Sequence, residues 1–376
     1  MIGITGNIGT GKSTVRHMLE KKGVLGVDAD GLVHCALQKG AKSYQKVLLA
    51  FGKDYLKGNG EINRIKLAET VFQDKGALKR LECILHPLVI KSFKHILRKS
   101  QLPIIAIEAI KLLESDLVTL CNNIWVVNIQ EREQIRRLMQ SRSTNEAQIK
   151  ERLAQQSSPE EKIQQSDIVI YNDQSLKATW KKVEHFWKTL LTKDLAFKKA
   201  AKKLQKIYAP TESGISRIIP DSADQMAETI SRYFCTMEPP ILNVIFAVTT
   251  PKKIRQDILF QALCNFHFLK FSNKNQTDFA IWNSKNFIAQ TYYLPHMKNR
   301  GNDKGLIALI NQIESDAHYR LCKVSRVLAH KEDNTLKETL HSHGYKVINA
   351  KALKPYWRDA TNAQIFSAYD TLVKSL

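Results

Sequence analysis

The chain has 376 residues, 43% of them hydrophobic, and a formal net charge of +21. This length and apolar content can fill two ordinary cores, whereas the longest apolar stretches, such as residues 102–110, fall short of the roughly 20 residues that a membrane span requires. The N-terminus also lacks the basic segment, long apolar core and cleavage site of a secretory signal, so we expect a cytoplasmic protein that does not bind membranes.

The six cysteines are spread along the chain without a CxxC pair or a Cys/His cluster at metal-ligand spacing, which favours reduced, mostly buried thiols. The positive charge attracts polyanions at low salt. Because the basic residues are dispersed and no zinc finger or aromatic-rich RNA motif accompanies them, a solvated surface or a phosphate-rich small ligand explains the charge better than nucleic acid does. The composition leaves the oligomeric state open.

Short apolar runs alternate with helical patterns through the first half, which predicts an α/β fold with a parallel sheet covered by helices. The runs that read as strands are residues 2–5, 24–27, 104–107, 124–127 and 168–171. Helical patterns occupy residues 13–22, 64–72, 77–85, 88–97, 131–141 and 176–207. Turn-forming residues follow the last of these helices. We therefore place a first domain at residues 1–207, a linker at 208–215 and a second domain at 216–376.

The segment between the first predicted strand and the first predicted helix reads GNIGTGKST and satisfies the pattern GxxxxGK[ST]. Glycines let backbone N–H groups approach a phosphate closely, and the helix N-terminus adds partial positive charge. We expect Lys12 to reach the β- and γ-phosphate oxygens of ATP and the Ser13 hydroxyl to ligate Mg²⁺. The predicted phosphate-binding residues are Asn7, Ile8, Gly9, Thr10, Gly11, Lys12, Ser13 and Thr14.

The second predicted strand ends in two acids, Asp28 and Asp30, at the sheet edge that also carries the P-loop. One carboxylate can accept or orient the proton of an acceptor hydroxyl, while the other can hold waters of Mg²⁺. Either acid can instead cap the helix that follows. The sequence therefore predicts a P-loop kinase that acts on a small acceptor bearing a hydroxyl.

The order of motifs resembles that of dephospho-CoA kinases over about residues 1–190. It runs through GNIGTGKST, VDAD, His86-Pro87, LLES, Arg137-Leu138 with Arg142, Arg152 and Gln156, and VIYN. The resemblance implies a five-stranded P-loop kinase that transfers the γ-phosphate of ATP to the 3′-hydroxyl of dephospho-CoA, in the last step of coenzyme A biosynthesis. It further implies that Asp30 is the base toward that hydroxyl.

The same resemblance implies a helical acceptor-binding subdomain at about residues 38–99 and a lid at about residues 137–156. We expect Asp28 and His86 to contact the acceptor. The lid needs arginines to neutralise the charge on the transferred phosphoryl group. Arg137, Arg152 and Arg142 are the candidates, and Arg142 joins Lys12 and Asp30 in the predicted catalytic set. Ser141 stands where the lid arginine of the family often lies.

A P-loop alone leaves the acceptor open. Another P-loop kinase acting on a nucleoside or nucleotide is the nearest alternative to the function that the resemblance implies. A nucleic-acid-binding ATPase, favoured by the positive charge, is an alternative of a different class. A substrate screen separates the two kinases, whereas stimulation of ATP hydrolysis by DNA or RNA would indicate the ATPase.

The second half resembles GNAT-type N-acyltransferases over about residues 216–360, which implies an α+β domain that takes acetyl-CoA. Its predicted elements are a strand at 216–219, a helix at 221–232, two strands within 279–294 with a turn at 283–286, a helix at 306–317 and a strand near 325–329. The acyl-CoA loop would contain Arg300, Gly301 and Gly305. Because Asp303 replaces a glycine of that loop pattern, a GNAT-like module without transferase activity stays open.

Overall fold

The structure, a computed structural model, describes residues 1–141, 145–208, 214–233, 256–272, 277–285, 288–294, 304–348 and 369–376. Five parallel strands form the sheet of the first half in the order β2-β3-β1-β4-β5. They are β1 (Ile2–Thr5), β2 (Leu25–Asp28), β3 (Ile105–Glu108), β4 (Asn123–Asn128) and β5 (Ile168–Tyr171). The predicted parallel sheet is therefore confirmed.

Helix α1 (Lys12–Lys21) begins directly after the P-loop and packs on this sheet. Val15, Met18 and Leu19 are fully buried, as their helical spacing predicted. Helix α2 (Ala29–Ala36) follows β2 and leads away from the sheet edge. The chain between the first two strands thus places the P-loop and the two strand-end acids at one edge.

The predicted acceptor subdomain has a separate small core. Its helices are α3 (Lys42–Phe51), α4 (Arg64–Gln73) and α5 (Lys75–Lys99). The prediction of two helices divided near Pro87 is wrong, because α5 runs through that proline. Proline leaves only the carbonyl of Cys83 without its helical donor, and Cys83 is exposed to water. The buried stripe of Leu85, Val89 and Phe93 continues across the proline and holds the helix together.

Three short helices follow β4, and the first two of them cover the P-loop. They are α6 (Glu131–Ser141), α7 (Glu146–Ala154) and α8 (Pro159–Gln164). Ile135, Leu138 and Ile149 form a small core against which Ile8 of the P-loop packs. The segment predicted to be the lid, about residues 137–156, begins within α6 and ends after α7, and its role stays a prediction. Residues 142–144 lie outside the described residues.

The lysine-rich segment predicted as one helix is two, α9 (Leu176–Lys193) and α10 (Leu195–Ile207). Asp194 ends the first and caps the second by accepting a hydrogen bond from the backbone N–H of Phe197 at 2.9 Å. The chain then folds back, so that the Phe197 ring packs edge-on against Trp187 with 5.0 Å between ring centroids. A capping acid and this aromatic contact account for the break.

The second half contains a seven-stranded mixed sheet in the order β11-β12-β10-β9-β8-β7-β6, which confirms the predicted α+β class. The pair β9 and β10 is parallel, and the other described pairs are antiparallel. The strands are β6 (Ile215–Ile218), β7 (His267–Ser272), β8 (Thr277–Lys285), β9 (Ile288–Tyr293), β10 (Val324–His330), β11 (Lys346–Val347) and β12 (Tyr369–Ser375). Strand β8 includes residues 283–285, so the turn predicted at 283–286 begins too early.

The described helices of this half pack beside the sheet. They are α11 (Ala223–Tyr233), α12 (Gln256–Asn265), α13 (Lys304–Tyr319) and α14 (Asn334–Ser342). Helix α13 contributes buried Leu306, Leu309 and Ile313 to the core of this half. None of the helices that the structure describes is long and apolar enough to cross a membrane.

The two halves share one apolar core. Met18 of α1 and Val183 of α9 belong to the same buried cluster as Ile230 of α11 and Leu259 of α12. A hydrogen bond also joins the halves, because the Trp180 indole N–H donates to Asp221 Oδ1 at 2.6 Å. The domain limits stay a prediction, because residues 209–213 lie outside the part of the chain that is described.

Candidate active site

The P-loop owes its path to glycines at places where a side chain would not fit. Gly6 has φ +141° and Gly11 has φ +97°, values that other residues rarely adopt. A Cβ on Gly6 would collide with the carbonyl of Val127, and one on Gly11 with the side-chain amide of Asn172. The glycines therefore let the loop lie directly on β4 and on the end of β5.

Lys12 begins α1 with its side chain folded back over the loop. It is 8% exposed, and its Nζ donates to the carbonyl of Asn7 at 3.0 Å. Burial lowers the pKa of Lys12 to about 8, although Glu108 and Asp30 oppose this effect. A buried ammonium beside backbone donors suits the oxygens of a polyphosphate.

Residues near both ends of the predicted lid hold the P-loop directly. The backbone N–H of Ile8 donates to Gln156 Oε1 at 2.9 Å, and the side-chain amide of Gln134 donates to the carbonyl of Ile8. Asn7 Nδ2 donates to the carbonyl of Ser157 at 3.3 Å. Gln156 belongs to the predicted motif order without an assigned role, and its contact with Ile8 fixes the tip of the loop.

Asn172, the last residue of the VIYN motif, supports the loop from below. Its Nδ2 donates to the carbonyl of Thr10 at 2.8 Å, and its Oδ1 accepts from the Thr179 hydroxyl at 2.7 Å. Arg137 Nη2 donates to the carbonyl of Asn172 at 2.9 Å, while Arg137 Nε donates to Glu133 at 2.9 Å. Asn172 thus connects the P-loop, the lid helix α6 and helix α9.

Glu108 is a site residue that the sequence analysis missed. It ends β3, where strand register places it beside Asp28 of β2 and Ile4 of β1. Its Oε1 accepts from the Ser13 hydroxyl at 2.6 Å, and its Oε2 accepts from Arg16 Nε at 2.9 Å. The predicted strand stopped one residue short. The rule that strand-end acids meet at the carboxyl edge, applied to Asp28 and Asp30, also selects this glutamate.

Arg16 extends this contact toward the second half. Its guanidinium donates to Glu20 as well as to Glu108, and Glu20 Oε2 lies 3.7 Å from Nη1 of Arg320, the residue that follows helix α13. Burial alone would raise the pKa of Glu20, but Arg16 and Arg320 outweigh it and lower the pKa to about 2. A buried network of alternating charges therefore runs from Ser13 to the second half.

The two acids after β2 occupy different environments. Asp28 Oδ1 accepts from the backbone N–H of Gly31 at 3.0 Å, so Asp28 caps α2. Asp30 stands in the first turn of α2 and is exposed to solvent. The protein around it disfavours the charged form and, with the nearby Asp28, raises the pKa of Asp30 to about 6 against the effect of Lys12. Asp30 thus has the pKa of a base that works near neutral pH.

The donor set fits Mg²⁺, which prefers oxygen ligands and usually binds through one or two protein groups together with phosphates. The Ser13 hydroxyl and the carboxylates of Asp28 and Glu108 supply such oxygens at one edge. In the described part of the chain, no group of three or more His, Cys, Asp or Glu side chains is arranged to hold a metal alone. The site therefore suits a cation that is also bound by ATP.

The first half of the chain is similar to known proteins. The family model for dephospho-CoA kinase matches residues 1–178. A dephospho-CoA kinase of Geobacter sulfurreducens is 34% identical over 191 residues, which is 50% of this chain and 96% of that protein. The chain belongs to the dephospho-CoA kinase family. A solved dephospho-CoA kinase from Campylobacter jejuni is 26% identical, with a TM-score of 0.39 over 52% of this chain and 98% of its own.

The second half has weaker similarities. A GNAT-family acetyltransferase structure from Streptococcus pneumoniae is 11% identical, with a TM-score of 0.31 over 43% of this chain and 98% of its own. The GNAT resemblance of this half therefore stays a prediction. Arg300 and Gly301 lie outside the described residues. Gly305 is buried in the first turn of α13, where a Cβ would lie 2.8 Å from Asp278 Oδ2, so close packing is one reason for this glycine.

The remaining predicted residues of the kinase site are the acceptor contact His86 and the three lid arginines. His86 is exposed on α5, and Arg152 is partly buried on α7. Arg137 is tied to the carbonyl of Asn172, as described above. Arg142 lies outside the described residues. The roles of these four residues stay predictions.

Proposed function

We propose that the first half of the chain transfers the γ-phosphate of ATP to the 3′-hydroxyl of dephospho-CoA. The observation that carries this proposal is the convergence of Lys12, Asp30 and the Ser13–Glu108 pair at one sheet edge. A phosphate clamp, a metal-binding hydroxyl and a base of pKa about 6 are the parts that phosphoryl transfer to an alcohol requires.

In this proposal the P-loop backbone and Lys12 hold the β- and γ-phosphates and stabilise the charge that spreads over the γ-phosphoryl oxygens. Mg²⁺, when bound with ATP, would neutralise part of that charge. Ser13 would be its protein ligand, and Asp28 would hold acceptor groups or metal-bound water. Asp30 would orient the 3′-hydroxyl in line with the γ-phosphate and accept its proton.

Helix α2 connects this base to the acceptor subdomain. Asp30 stands in its first turn, and its far end joins the small core at Leu37 that α3, α4 and α5 complete. An acceptor bound on that subdomain would therefore be delivered toward Asp30, with His86 as one contact. Arg137, Arg142 and Arg152 of the lid would neutralise the phosphoryl oxygens as the lid excludes water.

The test is a coupled assay of the purified full chain with ATP, Mg²⁺ and dephospho-CoA, in which CoA and ADP are both measured. We expect CoA and ADP in equal amounts and no comparable rate with nucleosides or nucleotides as acceptors. Faster transfer to a nucleoside or nucleotide would indicate the alternative kinase. ATP hydrolysis that needs DNA or RNA would indicate a nucleic-acid-dependent ATPase.

Replacing Glu108 by glutamine is expected to weaken the metal site. The amide keeps the shape of the side chain but removes the charge that Ser13 and Arg16 contact. Weakening a buried hydrogen bond to a charged group costs about 1–3 kcal/mol, so we expect a lower Tm and a higher Mg²⁺ concentration at half-maximal rate. Glu82→Gln is the matched control, because Glu82 pairs with Lys111 at the surface. Equal behaviour of the two variants would contradict this role of Glu108.

A further inference from the structure

A cavity of about 430 Å³ lies where the two halves meet, at the C-terminal end of α1. Its walls come from the last turn of α1, from α9 and α10, and from β6, β7 and α13 of the second half. Since α1 has 10 residues, the cavity lies about 15 Å from the P-loop. It is therefore separate from the ATP site, and its volume is typical of a small-molecule pocket, which is roughly 300–1,000 Å³.

The acids that line this cavity already have basic partners. Glu20 Oε2 forms an ion pair with Arg320 Nη1 at 3.7 Å. Asp316 accepts hydrogen bonds from Arg217 Nη2 at 2.5 Å and from Arg217 Nε at 3.3 Å. Lys21 also lines the cavity and donates to a backbone carbonyl of the second half at 2.7 Å. Burial lowers the pKa of Lys21 to about 7, but Lys22, Arg217 and Arg320 also line the cavity and outnumber its two acids, which favours an anionic occupant.

Two donors of the lining have no acceptor. Among the residues that the structure describes, the Tyr208 hydroxyl and Arg320 Nε are both buried without a hydrogen-bond partner. Arg320 is 6% exposed, and its Nη2 already donates to the carbonyl of Glu20 at 3.3 Å. Burial raises the pKa of Tyr208, so its hydroxyl keeps its proton and can donate. Buried donors of this kind are normally satisfied by a ligand or by water.

Trp187, Leu204 and Phe268 give the same cavity an apolar wall. We propose that it binds a small carboxylate with an apolar tail. The carboxylate accepts hydrogen bonds from Tyr208 and Arg320, and the tail lies along Trp187 and Leu204. One tyrosine and one partly committed arginine match a single negative charge better than the double charge of a phosphate monoester.

The test is calorimetric titration of the full chain with octanoate, with its neutral analogue octanamide, and with inorganic phosphate. We expect one octanoate per chain with a Kd at or below about 1 mM, which ten heavy atoms reach at ordinary ligand efficiency. Octanamide should bind at least about 10-fold more weakly, because a hydrogen bond to a charged group is lost. Binding is read without a kinase assay, so its failure is separate from any failure of the proposed activity.

Tyr208→Phe is the decisive variant, since it removes the hydroxyl but keeps the ring against which Arg217 stacks at 4.5 Å. It should weaken octanoate binding about 10-fold or more while Tm and kinase rate stay at wild-type values. Tyr171→Phe, at an exposed tyrosine of β5, is the matched control and should bind normally. The proposal is overturned by equal affinity in the Tyr208 variant, by equal affinity for octanamide, by binding of phosphate alone, or by no saturable binding at about 10 mM octanoate.

Discussion

Replacing Lys12 by alanine is expected to lower kcat/KM for phosphoryl transfer by roughly 10²–10³-fold, the loss found when one preorganised group is removed from a charge-stabilising site. The ammonium lies over the P-loop, with its Nζ 3.0 Å from the carbonyl of Asn7. The substitution removes a compact cation from the place where the β- and γ-phosphate oxygens would lie. Since phosphoryl transfer is catalysed mainly by positioning and electrostatics, no other group can replace this charge.

The Lys12 variant should nevertheless fold. Burial lowers the pKa of Lys12 to about 8, which means that the folded state disfavours the charged form. At neutral pH the charged side chain therefore opposes folding, an effect that fades as the pH rises from about 8 to the ordinary lysine pKa of 10.5. Removing it should leave Tm unchanged or raised. Turnover, ATP affinity and Tm check the prediction, with Lys181→Ala on the exposed face of α9 as the control. Near wild-type turnover in Lys12→Ala would reject the P-loop assignment.

Replacing Asp30 by asparagine is expected to lower kcat by about 10²–10⁴-fold, which is the usual contribution of general-base catalysis. ATP affinity should change little. Asparagine keeps the shape of the side chain but cannot accept the proton of the 3′-hydroxyl. The pKa of Asp30 is raised to about 6, so its carboxylate form is lost as the pH falls through 6. The wild-type kcat/KM should therefore decline below that pH, and the variant should lack this decline.

Asp28→Asn is the matched control for Asp30→Asn. Asparagine caps helices as well as aspartate does and can accept the same hydrogen bond from the backbone N–H of Gly31, so the N-terminal cap of α2 should be preserved. We expect this variant to change the Mg²⁺ requirement or the KM for the acceptor more than kcat. If Asp30→Asn instead loses ATP binding while turnover at saturation stays normal, Asp30 acts in the metal site and the base is another residue.

The parts of the fold that depend on short-range pattern could be predicted from the sequence. Alternating apolar runs gave the parallel sheet, and the P-loop motif placed Lys12 and Ser13 between a strand and a helix because glycine chemistry there is specific. Helix limits were less certain, since they depend on the whole fold. Pro87 reads as a break, yet buried contacts on both sides keep α5 continuous. Asp194 looks like an ordinary helix residue, yet it caps α10.

The supporting contacts of the site could not be predicted, because they join residues that are far apart in the sequence. Ser13 and Glu108 are 95 positions apart, and Asn172 reaches Thr10 across 162 positions. The Ser13–Glu108 contact arises because β3, which ends at Glu108, pairs with β1. The Asn172–Thr10 contact arises because β5, which Asn172 follows, returns to the sheet beside β4. The pairing of Glu20 with Arg320 across 300 positions needs the packing of the two halves, which no local pattern encodes.

The apolar core that α1 and α9 share with α11 and α12 has a thermodynamic consequence. Units that could fold alone usually meet through small, more polar interfaces and unfold in separate steps. Here Met18 and Leu259 belong to one buried cluster, so opening either half exposes apolar surface of the other. The two halves should therefore unfold in one cooperative transition. Nucleotide bound at the P-loop would then protect the distant strands of the second sheet as well, since ligand linkage acts on the whole cooperative unit.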